Sequence, residues 1–356
     1  MIKIFFDNSI FLHQKNGGIS KYIFNLNHKL NDKDINSKIF SPITINDNLK
    51  RSKKVIYFVK FNRIPKFCRK LFFMINNFLW KFYLMYYKPN LVHFSYYNNH
   101  INNFLNVPYI LTVYDLIHER LRLKNYEFSK KKLLIGAKHI ICISNFTKKE
   151  LIRKYRISKN KISVIYLGLN ISKKKLIYPK KKIILYVGER GRYKNFINFI
   201  YAYSKSSIKN EFKIVCFGGE IISENEKKIF KRYNMQDNVV QEFGDDAKLY
   251  KYYQNASLFV TVSLIEGFGL TPLEAMSLGC PVLCSDIQVF REIFGNSCEY
   301  VNPKNEHDIK KKIEIILSSK NKQKKLINSG YKLAKKYSWD KCALQTSNLY
   351  QKILNE

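Results

Sequence analysis

The sequence has 356 residues and carries 63 Lys and Arg against 27 Asp and Glu, a formal net charge of +36 with His neutral. This length exceeds what one hydrophobic core usually serves, which predicts two domains of roughly 150–200 residues. The content of 46% hydrophobic and 15% aromatic residues excludes a disordered chain. The charge indicates an anionic partner such as phosphate, lipid or an acidic substrate, although the Lys- and Asn-rich drift of an AT-rich genome also accounts for such a composition.

The seven cysteines are scattered and form no CxxC pair, which predicts neither a disulfide framework nor a zinc site, and therefore a reducing compartment. The N-terminal run MIKIFF reaches Asp7 too soon for a signal peptide. The most apolar stretch, 71–80, is well short of the ~20 residues that span a bilayer. We therefore expect a cytoplasmic protein that is either free in the cytosol or peripheral on the inner face of the plasma membrane.

In chain order, short apolar runs alternate with longer amphipathic runs, a pattern typical of βαβ units with a parallel sheet. The predicted strands are 3–6, 55–59, 91–94, 108–113, 139–143, 162–166, 183–187, 212–217, 239–243, 257–262 and 281–284. The predicted helices are 19–30, 64–87, 147–155, 194–205, 222–233, 246–254, 272–278, 306–318, 322–336 and 339–354. The basic segment 170–182 breaks the pattern and is predicted to be a linker. The sequence indicates an α/β fold with two similar open domains, 1–169 and 170–338, whose strand ends form a ligand-binding cleft.

The stretch SLIEGFGLTPLEAMSLGCPV follows a buried strand and is the most informative part of the sequence. Gly267 and Gly269 free the backbone ahead of a helix, whose exposed N–H groups suit a diphosphate. Glu266, at the end of the strand, is expected to point into the cleft. Glu274 has two open interpretations: it completes a capping box with an N-cap at Thr271, or it serves the site.

Glu266 and Glu274, separated by seven residues, resemble the E-x7-E signature of the retaining glycosyltransferases of family four, which have the GT-B fold. The resemblance covers nearly the whole chain. Its further segments are 186–196 (YVGERGRYKNF), 239–256 (VVQEFGDDAKLYKYYQNA), 17–20 (GGIS), 143–151 (ISNFTKKEL), 164–170 (VIYLGLN) and 337–350 (YSWDKCALQTSNLY). It implies two Rossmann-like domains that face each other across a cleft, and a final helix, 339–356, that crosses back to the first domain.

The resemblance also implies a role for each site residue. Glu266 would contact hydroxyl groups of the transferred sugar, and Glu274 would accept from the ribose of the donor. Arg190 and Lys194 would neutralise the leaving diphosphate in place of a metal ion, for which no DxD motif or acidic cluster offers a site. The alternative for both cations is a solvated loop. The other residues implied to bind the donor are Gly267, Phe268, Gly269 and Leu270, and Gly18 in the first domain.

The first domain departs from the family pattern at one point. Family members commonly carry a His in a T-[IV]-H-D-L stretch, whereas LTVYDLIHER places Tyr114 there and His118 four residues later. His118 is the predicted catalytic residue of this domain, with an ordinary histidine at a helix start as the alternative. Asp115 is open to interpretation as a cap of the following segment.

A second strand end in the first domain carries His93, Tyr96 and Tyr97. These residues are candidates for the acceptor side because Tyr stacks on sugar faces, although Tyr is common throughout this chain. Ser144 and Asn145 are predicted to be helix caps.

No Asp or Glu occurs from residue 48 to residue 114, and 51–88 mixes aromatic with basic residues. The basic members are Arg51, Lys53, Lys54, Lys60, Arg63, Lys66, Arg69, Lys70, Lys81 and Lys88. Such a stretch is typical of an element on an anionic membrane surface, through which similar enzymes reach lipid-linked acceptors. The alternative is a domain helix that packs on the sheet. Nucleic acid is a less favoured partner because no nucleic-acid-binding motif is present.

These features predict a retaining, metal-independent hexosyltransferase that moves a sugar from a nucleotide-diphosphate donor to a glycan or lipid-linked acceptor. The expected process is the biosynthesis of a surface polysaccharide or lipopolysaccharide. No cofactor is expected, and GDP-mannose is the preferred donor because 91–120 resembles mannosyltransferase-like family members. Two alternatives stay open: a non-catalytic GT-B binding module for anionic glycan, lipid or nucleic acid, and a glycosyltransferase that modifies DNA.

Overall fold

The computed structural model describes residues 1–30, 34–50, 52–97, 107–122, 124–170 and 180–356. The chain divides into two compact units. Unit 1 contains Met1–Gly168 and Ser338–Glu356, and unit 2 contains Leu169–Tyr337. The sequence placed the corresponding divisions after residues 169 and 338. Residues 171–179 of the predicted linker, and Arg51 of the basic segment, lie outside the described residues.

Strands and helices alternate along most of the chain. The strands are β1 (Ile2–Phe6), β2 (Ile35–Phe40), β3 (Ile43–Thr44), β4 (Val55–Ile56), β5 (Val59–Lys60), β6 (Leu91–Phe94), β7 (Tyr109–Val113), β8 (His139–Cys142), β9 (Ile162–Val164), β10 (Lys181–Val187), β11 (Lys213–Phe217), β12 (Val239–Glu242), β13 (Ala256–Thr261), β14 (Val282–Ser285) and β15 (Glu299–Val301). The helices are α1 (Ser9–His13), α2 (Gly18–Lys29), α3 (Arg69–Tyr87), α4 (Ile117–Arg120), α5 (Lys124–Gly136), α6 (Asn145–Tyr155), α7 (Phe196–Ser204), α8 (Glu224–Arg232), α9 (Asp246–Asn255), α10 (Leu270–Ser277), α11 (Gln288–Phe294), α12 (Glu306–Ser318), α13 (Lys320–Ala334) and α14 (Trp339–Asn355). In the described ranges, no helix is both long and apolar enough to cross a bilayer.

The described part of unit 1 contains a seven-stranded parallel sheet in the order β4-β2-β1-β6-β7-β8-β9. Phe6 of β1 pairs with Ile39 of β2 on one side and with His93 of β6 on the other. Every residue of β6 and β7 is buried, as expected for a parallel sheet with helices on both faces. The strand order reverses at β1, so the carboxyl ends of β1 and β6 flank the position where such sheets bind ligands.

Two predicted elements of unit 1 are wrong in their extent. The predicted strand 55–59 is two short strands, because Phe58 N and Val59 N both donate to Pro42 O, at 2.8 and 3.1 Å, and the chain turns there. β4 therefore pairs with β2 in the large sheet, whereas β5 pairs with β3 in a separate small sheet. The predicted helix 64–87 begins only at Arg69, since a 3₁₀ turn follows Pro65.

The C-terminal helix α14 packs within unit 1. The Tyr350 hydroxyl lies 2.6 Å from His93 Nδ1, and the Trp339 ring lies 6.2 Å from the ring of Tyr22 on α2. Gly168 allows the approach, because a Cβ atom at this position would overlap the backbone of Trp339. Residues at the end of the sequence thus complete the core of the first unit.

Within its described residues, unit 2 contains a six-stranded parallel sheet in the order β12-β11-β10-β13-β14-β15. β13 is buried along its whole length, and its Leu258 and Val260 join a core that includes Ile184 of β10 and Phe199 of α7. β15 and α11 were not predicted from the sequence. Each unit is Rossmann-like and is built on a sheet of parallel strands, which confirms the predicted α/β fold class.

Candidate active site

The predicted donor site lies where the strand order of unit 2 reverses. β10 and β13 are neighbours in the sheet, although β11 and β12 come between them in the sequence. Ligands of open parallel sheets bind outside the carboxyl ends of strands at such a reversal. The loops that leave these two ends, 188–195 and 262–269, contain most of the residues predicted to bind the donor.

Lys194 and Glu266 form an ion pair between these loops. Lys194 Nζ donates to Glu266 Oε1 at 2.7 Å, and the two side chains are 24% and 16% exposed. Both charges are therefore fixed in place yet accessible from solvent. The structure brings together a cation and a carboxylate that the sequence predicted for the same donor.

Asn195 holds the first of these loops against β13. Its side-chain amide donates to Val262 O at 3.1 Å and to Pro303 O at 2.7 Å. Its backbone has φ 60°, a left-handed conformation that Asn tolerates better than most residues. Sequence reasoning missed this residue, which lay inside the predicted helix 194–205, whereas the helix begins only at Phe196.

Gly269 is the N-cap of helix α10 and shapes the turn after Glu266. Its φ of 99° lies in the left-handed region, and a Cβ atom there would lie 2.6 Å from Phe294 and 2.8 Å from Phe290. Among the described residues, no side chain caps this helix. The N–H groups of its first turn and the positive end of its dipole are therefore suited to an anion.

The predicted N-cap at Thr271 is wrong. The helix begins at Leu270 with Gly269 as its N-cap, so Thr271 already lies inside the first turn. Glu274 therefore does not complete a capping box. Instead it is buried in the second turn, and its Oε2 accepts a hydrogen bond from the Tyr253 hydroxyl at 3.4 Å. Burial, together with the charge of Glu274, raises the pKa of Tyr253 and keeps this donor protonated.

The neighbouring residues of the glycine turn differ in exposure. Gly267 and Phe268 are buried, and the ring of Phe268 lies edge-on to the ring of Tyr337 with centroids 5.9 Å apart. Leu270 is half-buried. The predicted contribution of these residues is made by their backbone, and it stays a prediction.

Arg190 is buried in an ion pair with Glu226, which excludes the solvated loop, while its predicted role at the donor diphosphate stays a prediction. Its Nε donates to Glu226 Oε1 at 2.7 Å, its Nη2 donates to Glu220 O at 2.6 Å, and its side chain is 4% exposed. Burial opposes ionisation of Glu226, but hydrogen bonds from Arg190 and Ser223 outweigh it and lower the pKa of this carboxyl. Arg190 is therefore not in a solvated loop. Its Nη1 is buried and finds no hydrogen-bond partner among the described residues.

The stretch 111–120 of unit 1 leads from β7 into the short helix α4. Tyr114 is buried edge-on against Tyr22 at 5.7 Å, and burial raises its pKa. Asp115 Oδ1 accepts from Ile117 N at 3.0 Å, so this residue caps the turn before α4. His118 is half-buried within α4. Its catalytic role stays a prediction.

A buried ion pair, also missed from the sequence, fixes this stretch. Lys130 Nζ lies 2.8 Å from Glu119 Oε1 and donates to Asp115 O at 2.9 Å. Desolvation works to raise the pKa of Glu119, but the charge of Lys130 and the hydrogen bonds from Lys130 and Tyr155 together lower it. One lysine among many gives no sequence signal of such a position.

Gly18 is the first residue of α2, and Gly17 precedes it as the N-cap with an extended backbone. A Cβ atom on Gly18 would meet no other atom within 4 Å. Space therefore remains around Gly18, whereas a Cβ atom on Gly17 would overlap the side chain of Gln14.

His93 is a core residue and does not line a surface. Its Nδ1 lies 2.6 Å from the Tyr350 hydroxyl and its Nε2 lies 2.7 Å from Thr112 Oγ1. Burial lowers the pKa of His93 to about 3. Tyr96 and Tyr97 are half-buried, with ring centroids 5.0 Å apart, and the following residues 98–106 lie outside the described part of the chain.

The predicted caps near residue 145 are half right. Ser144 Oγ accepts from Thr147 N at 3.0 Å and caps α6. Asn145 is instead the first residue of the helix, and its side chain donates to the Tyr166 hydroxyl at 2.8 Å.

The described residues contain no group of three or more His, Cys, Asp or Glu side chains that could hold a metal ion. The free cysteines are buried, apart from the half-buried Cys68.

Comparison with known proteins gives matches over both units. The model of glycosyltransferase family 4 matches residues 16–173, and the model of glycosyl transferases group 1 matches residues 169–333. The chain is 31% identical over 184 residues to the O-antigen chain mannosyltransferase RfbU of Salmonella typhimurium, covering 51% of each chain. It is 31% identical over 153 residues to the N-acetylgalactosamine-N,N'-diacetylbacillosaminyl-diphospho-undecaprenol 4-alpha-N-acetylgalactosaminyltransferase of Campylobacter jejuni, covering 41% of each. The chain thus spans about half the length of the curated relatives it matches.

Among solved structures, the sucrose-phosphate synthase of Thermosynechococcus elongatus superposes with a TM-score of 0.82 at 20% identity, covering 100% of both chains. This likeness shows a shared fold. The family rests on the two family matches, which together extend from residue 16 to residue 333 and place the chain in the group 1 glycosyltransferases, family 4.

Proposed function

We propose that the protein is a retaining glycosyltransferase that moves a hexose from a nucleotide-diphosphate sugar to a glycan or lipid-linked acceptor. The contact between Lys194 and Glu266 at 2.7 Å, beside the uncapped start of α10, carries the proposal. The ion pair and the helix start together supply an ammonium group, a carboxylate and backbone N–H groups at one strand-order reversal, which are kinds of partner that a sugar diphosphate binds.

The chemistry follows from where charge develops. As the bond between sugar and diphosphate breaks, negative charge accumulates on the leaving group. A fixed ammonium group at Lys194 and the N–H groups of Gly269 and Leu270 would stabilise that charge without a metal ion. Glu266 would accept hydrogen bonds from the sugar, and Glu274 would bind the nucleotide ribose.

GDP-mannose is the proposed donor and a surface polysaccharide the proposed product. The name of one relative, an O-antigen chain mannosyltransferase, supports this donor and product. The name of a second relative, an N-acetylgalactosaminyltransferase that acts on a diphospho-undecaprenol glycan, supports only a lipid-linked acceptor. Acceptors of the second kind are lipids, so we propose that the enzyme works at the inner face of the plasma membrane. His118, on the short helix that follows β7, is the proposed catalytic residue of unit 1.

The test is a transfer assay preceded by a ligand screen. Thermal unfolding is measured with GDP, UDP and their mannose, glucose and N-acetylhexosamine derivatives, because a ligand that binds only the folded chain raises the melting temperature. We expect the largest rise with GDP and GDP-mannose. A larger rise in melting temperature with UDP would indicate a UDP-linked sugar as the donor in place of GDP-mannose, and it would leave the proposed reaction class unchanged.

Transfer is then measured with the Glu266→Ala variant. We expect an unchanged melting temperature and loss of transfer, whereas Glu224→Ala, at an exposed surface pair with Lys227, retains full activity. Full transfer by Glu266→Ala would refute the proposed site. Nucleotide binding without any turnover of the wild-type chain would indicate a binding module instead.

A further inference from the structure

Helix α3 has apolar side chains on two opposite faces. One face packs on the sheet through Trp80 and Leu84. On the same face, the Asn76 side chain forms two hydrogen bonds with the backbone of Ile43. The other face is exposed and begins in the turn before the helix. Its members, here called the outer stripe, are all at least 54% exposed: Phe67, Leu71, Met74, Phe78, Phe82 and Met85.

The spacing of the outer stripe places it on a single side of the helix. Successive members are separated by four, three, four, four and three residues, the intervals at which side chains share one helical face. At about 1.5 Å per residue the stripe is roughly 27 Å long. An exposed apolar surface of this length on an otherwise amphipathic helix marks an interaction site.

Basic residues border the outer stripe on one side. Lys70 and Lys81 are exposed, and at about 100° per residue they lie roughly 55–80° from the centre of the stripe. Arg69 at the start of the helix and Lys88 at its end are also exposed. No acidic residue occurs anywhere from residue 48 to residue 114 to offset these charges.

The combination of charge and apolar surface selects one partner. Two copies that paired through this face would bring like charges together, which opposes association. A bilayer surface with anionic lipids satisfies both features, because the stripe enters the acyl boundary while the bases contact the phosphates. Such binding does not require α3 to cross the bilayer.

We propose that α3 lies in the plane of an anionic phospholipid surface, with the outer stripe immersed and Lys70 and Lys81 on the headgroups. Lipid binding by α3 would bring unit 1 to the membrane in which a lipid-linked acceptor resides. The biological role of this surface therefore rests on the proposed function. Lipid binding itself needs neither donor nor acceptor, so the two proposals fail separately.

The experiment is co-flotation of the full chain with vesicles of phosphatidylcholine, with and without phosphatidylglycerol. We expect binding to the anionic vesicles that weakens with salt. The double variant Phe78→Ser/Phe82→Ser should lose at least about tenfold in partitioning, because two exposed phenyl groups no longer enter the lipid. Leu344→Ser is the matched control, since Leu344 on α14 is 57% exposed and lies outside the stripe; it should bind as wild type.

A second pair of variants separates charge from apolar contact. Lys70→Gln/Lys81→Gln should weaken binding to anionic vesicles by about fivefold or more for each lysine removed, and should leave binding to neutral vesicles unchanged. Because Phe78 and Phe82 touch each other, with ring centroids 4.7 Å apart, Met74→Ser/Met85→Ser repeats the test without breaking an aromatic pair.

Two results would overturn the proposal. One is vesicle binding that neither stripe variant reduces. The other is a dimer of the wild-type chain, dissolved by both stripe variants, in a protein that does not bind vesicles. Hydrolysis of the nucleotide sugar in the absence of lipid should be the same in wild type and stripe variants, so its loss in all of them would instead count against the proposed function.

Discussion

Lys194 and Glu266 are 72 positions apart in the sequence, yet their side chains meet at 2.7 Å outside the carboxyl ends of β10 and β13. The pair exists because the strand order of unit 2 reverses between those two strands. Before a donor binds, each charge is satisfied by the other. A bound sugar diphosphate would therefore take over an existing ion pair, with its phosphate facing the lysine and its sugar hydroxyls facing the carboxylate.

Removal of the Lys194 charge should slow transfer. Lys194→Gln loses the cation that we propose faces the leaving diphosphate, and we expect kcat/KM to fall by a factor of about 10²–10³. Glu266→Gln should lose at least as much. If the two groups act on one donor, as we propose, the double variant should lose much less than the product of the two single losses.

The exposed pair Glu224–Lys227, also joined at 2.7 Å, is the matched control for this cycle. Glu224→Gln and Lys227→Gln should leave kcat/KM within about twofold of wild type, as is usual for surface ion pairs of little energetic weight. Strictly multiplicative losses for Lys194 and Glu266 would show that the two residues act on separate steps and would contradict a shared donor site.

Replacement of Gly269 should destabilise unit 2 by roughly 2–4 kcal/mol. Gly269→Ala places a side chain at φ 99° and pushes its Cβ atom to within 2.8 Å of both Phe290 and Phe294. Backbone strain and overpacking each cost about 1–3 kcal/mol. Thermal and urea unfolding measure the change.

Two other glycines separate these causes. A Cβ atom on Gly188 or Gly191 would meet no atom within 4 Å, but Gly188 has φ 103° whereas Gly191 has an ordinary φ of −78°. Gly188→Ala should therefore lose only the stability that backbone strain costs, and Gly191→Ala should be neutral or slightly stabilising. Equal stability of all three variants would contradict this account of the turn.

Acid should destabilise unit 1 through His93. The pKa of His93 is about 3 in the folded chain and near 6.5 when unfolded, so the unfolded chain binds the proton more readily. Its contribution to stability is fully present above pH 6.5 and is lost as the pH falls from there towards 3. Between pH 7 and pH 5 this amounts to about 2 kcal/mol of the free energy of unfolding.

The measurement is urea unfolding at several pH values for wild type, His93→Gln and His28→Gln. His93→Gln should be less stable at pH 7, because Gln cannot reproduce the contacts to Tyr350 and Thr112, and its stability should fall less between pH 7 and pH 5. His28 is exposed, so its replacement should leave the wild-type pH dependence intact. If the free energy of unfolding of His93→Gln fell with pH as steeply as that of wild type, His93 would not be the group responsible.

The alternation of strand and helix was readable because it depends on local periodicity. The fully buried run of β13 and the glycines after it are local signals too, and they indicated the loop that we propose binds the donor. The start of α10 was misplaced because Thr271 and Pro272 form a favourable local N-terminus. Only the packing of Gly269 over Phe290 and Phe294, residues from another helix, moves the start of the helix to Leu270.

By itself, the sequence determined which residues carry charge, where the chain can turn and which segments must be buried, since each of these depends on neighbouring residues. It therefore indicated the family, the α/β class and the candidates Glu266 and Lys194. Tertiary structure decided what each charge meets. It set Lys194 against Glu266 across the strand-order reversal, buried Arg190 against Glu226, and left the outer stripe of α3 in solvent. Those outcomes depend on contacts between residues far apart in the chain, which local patterns do not encode.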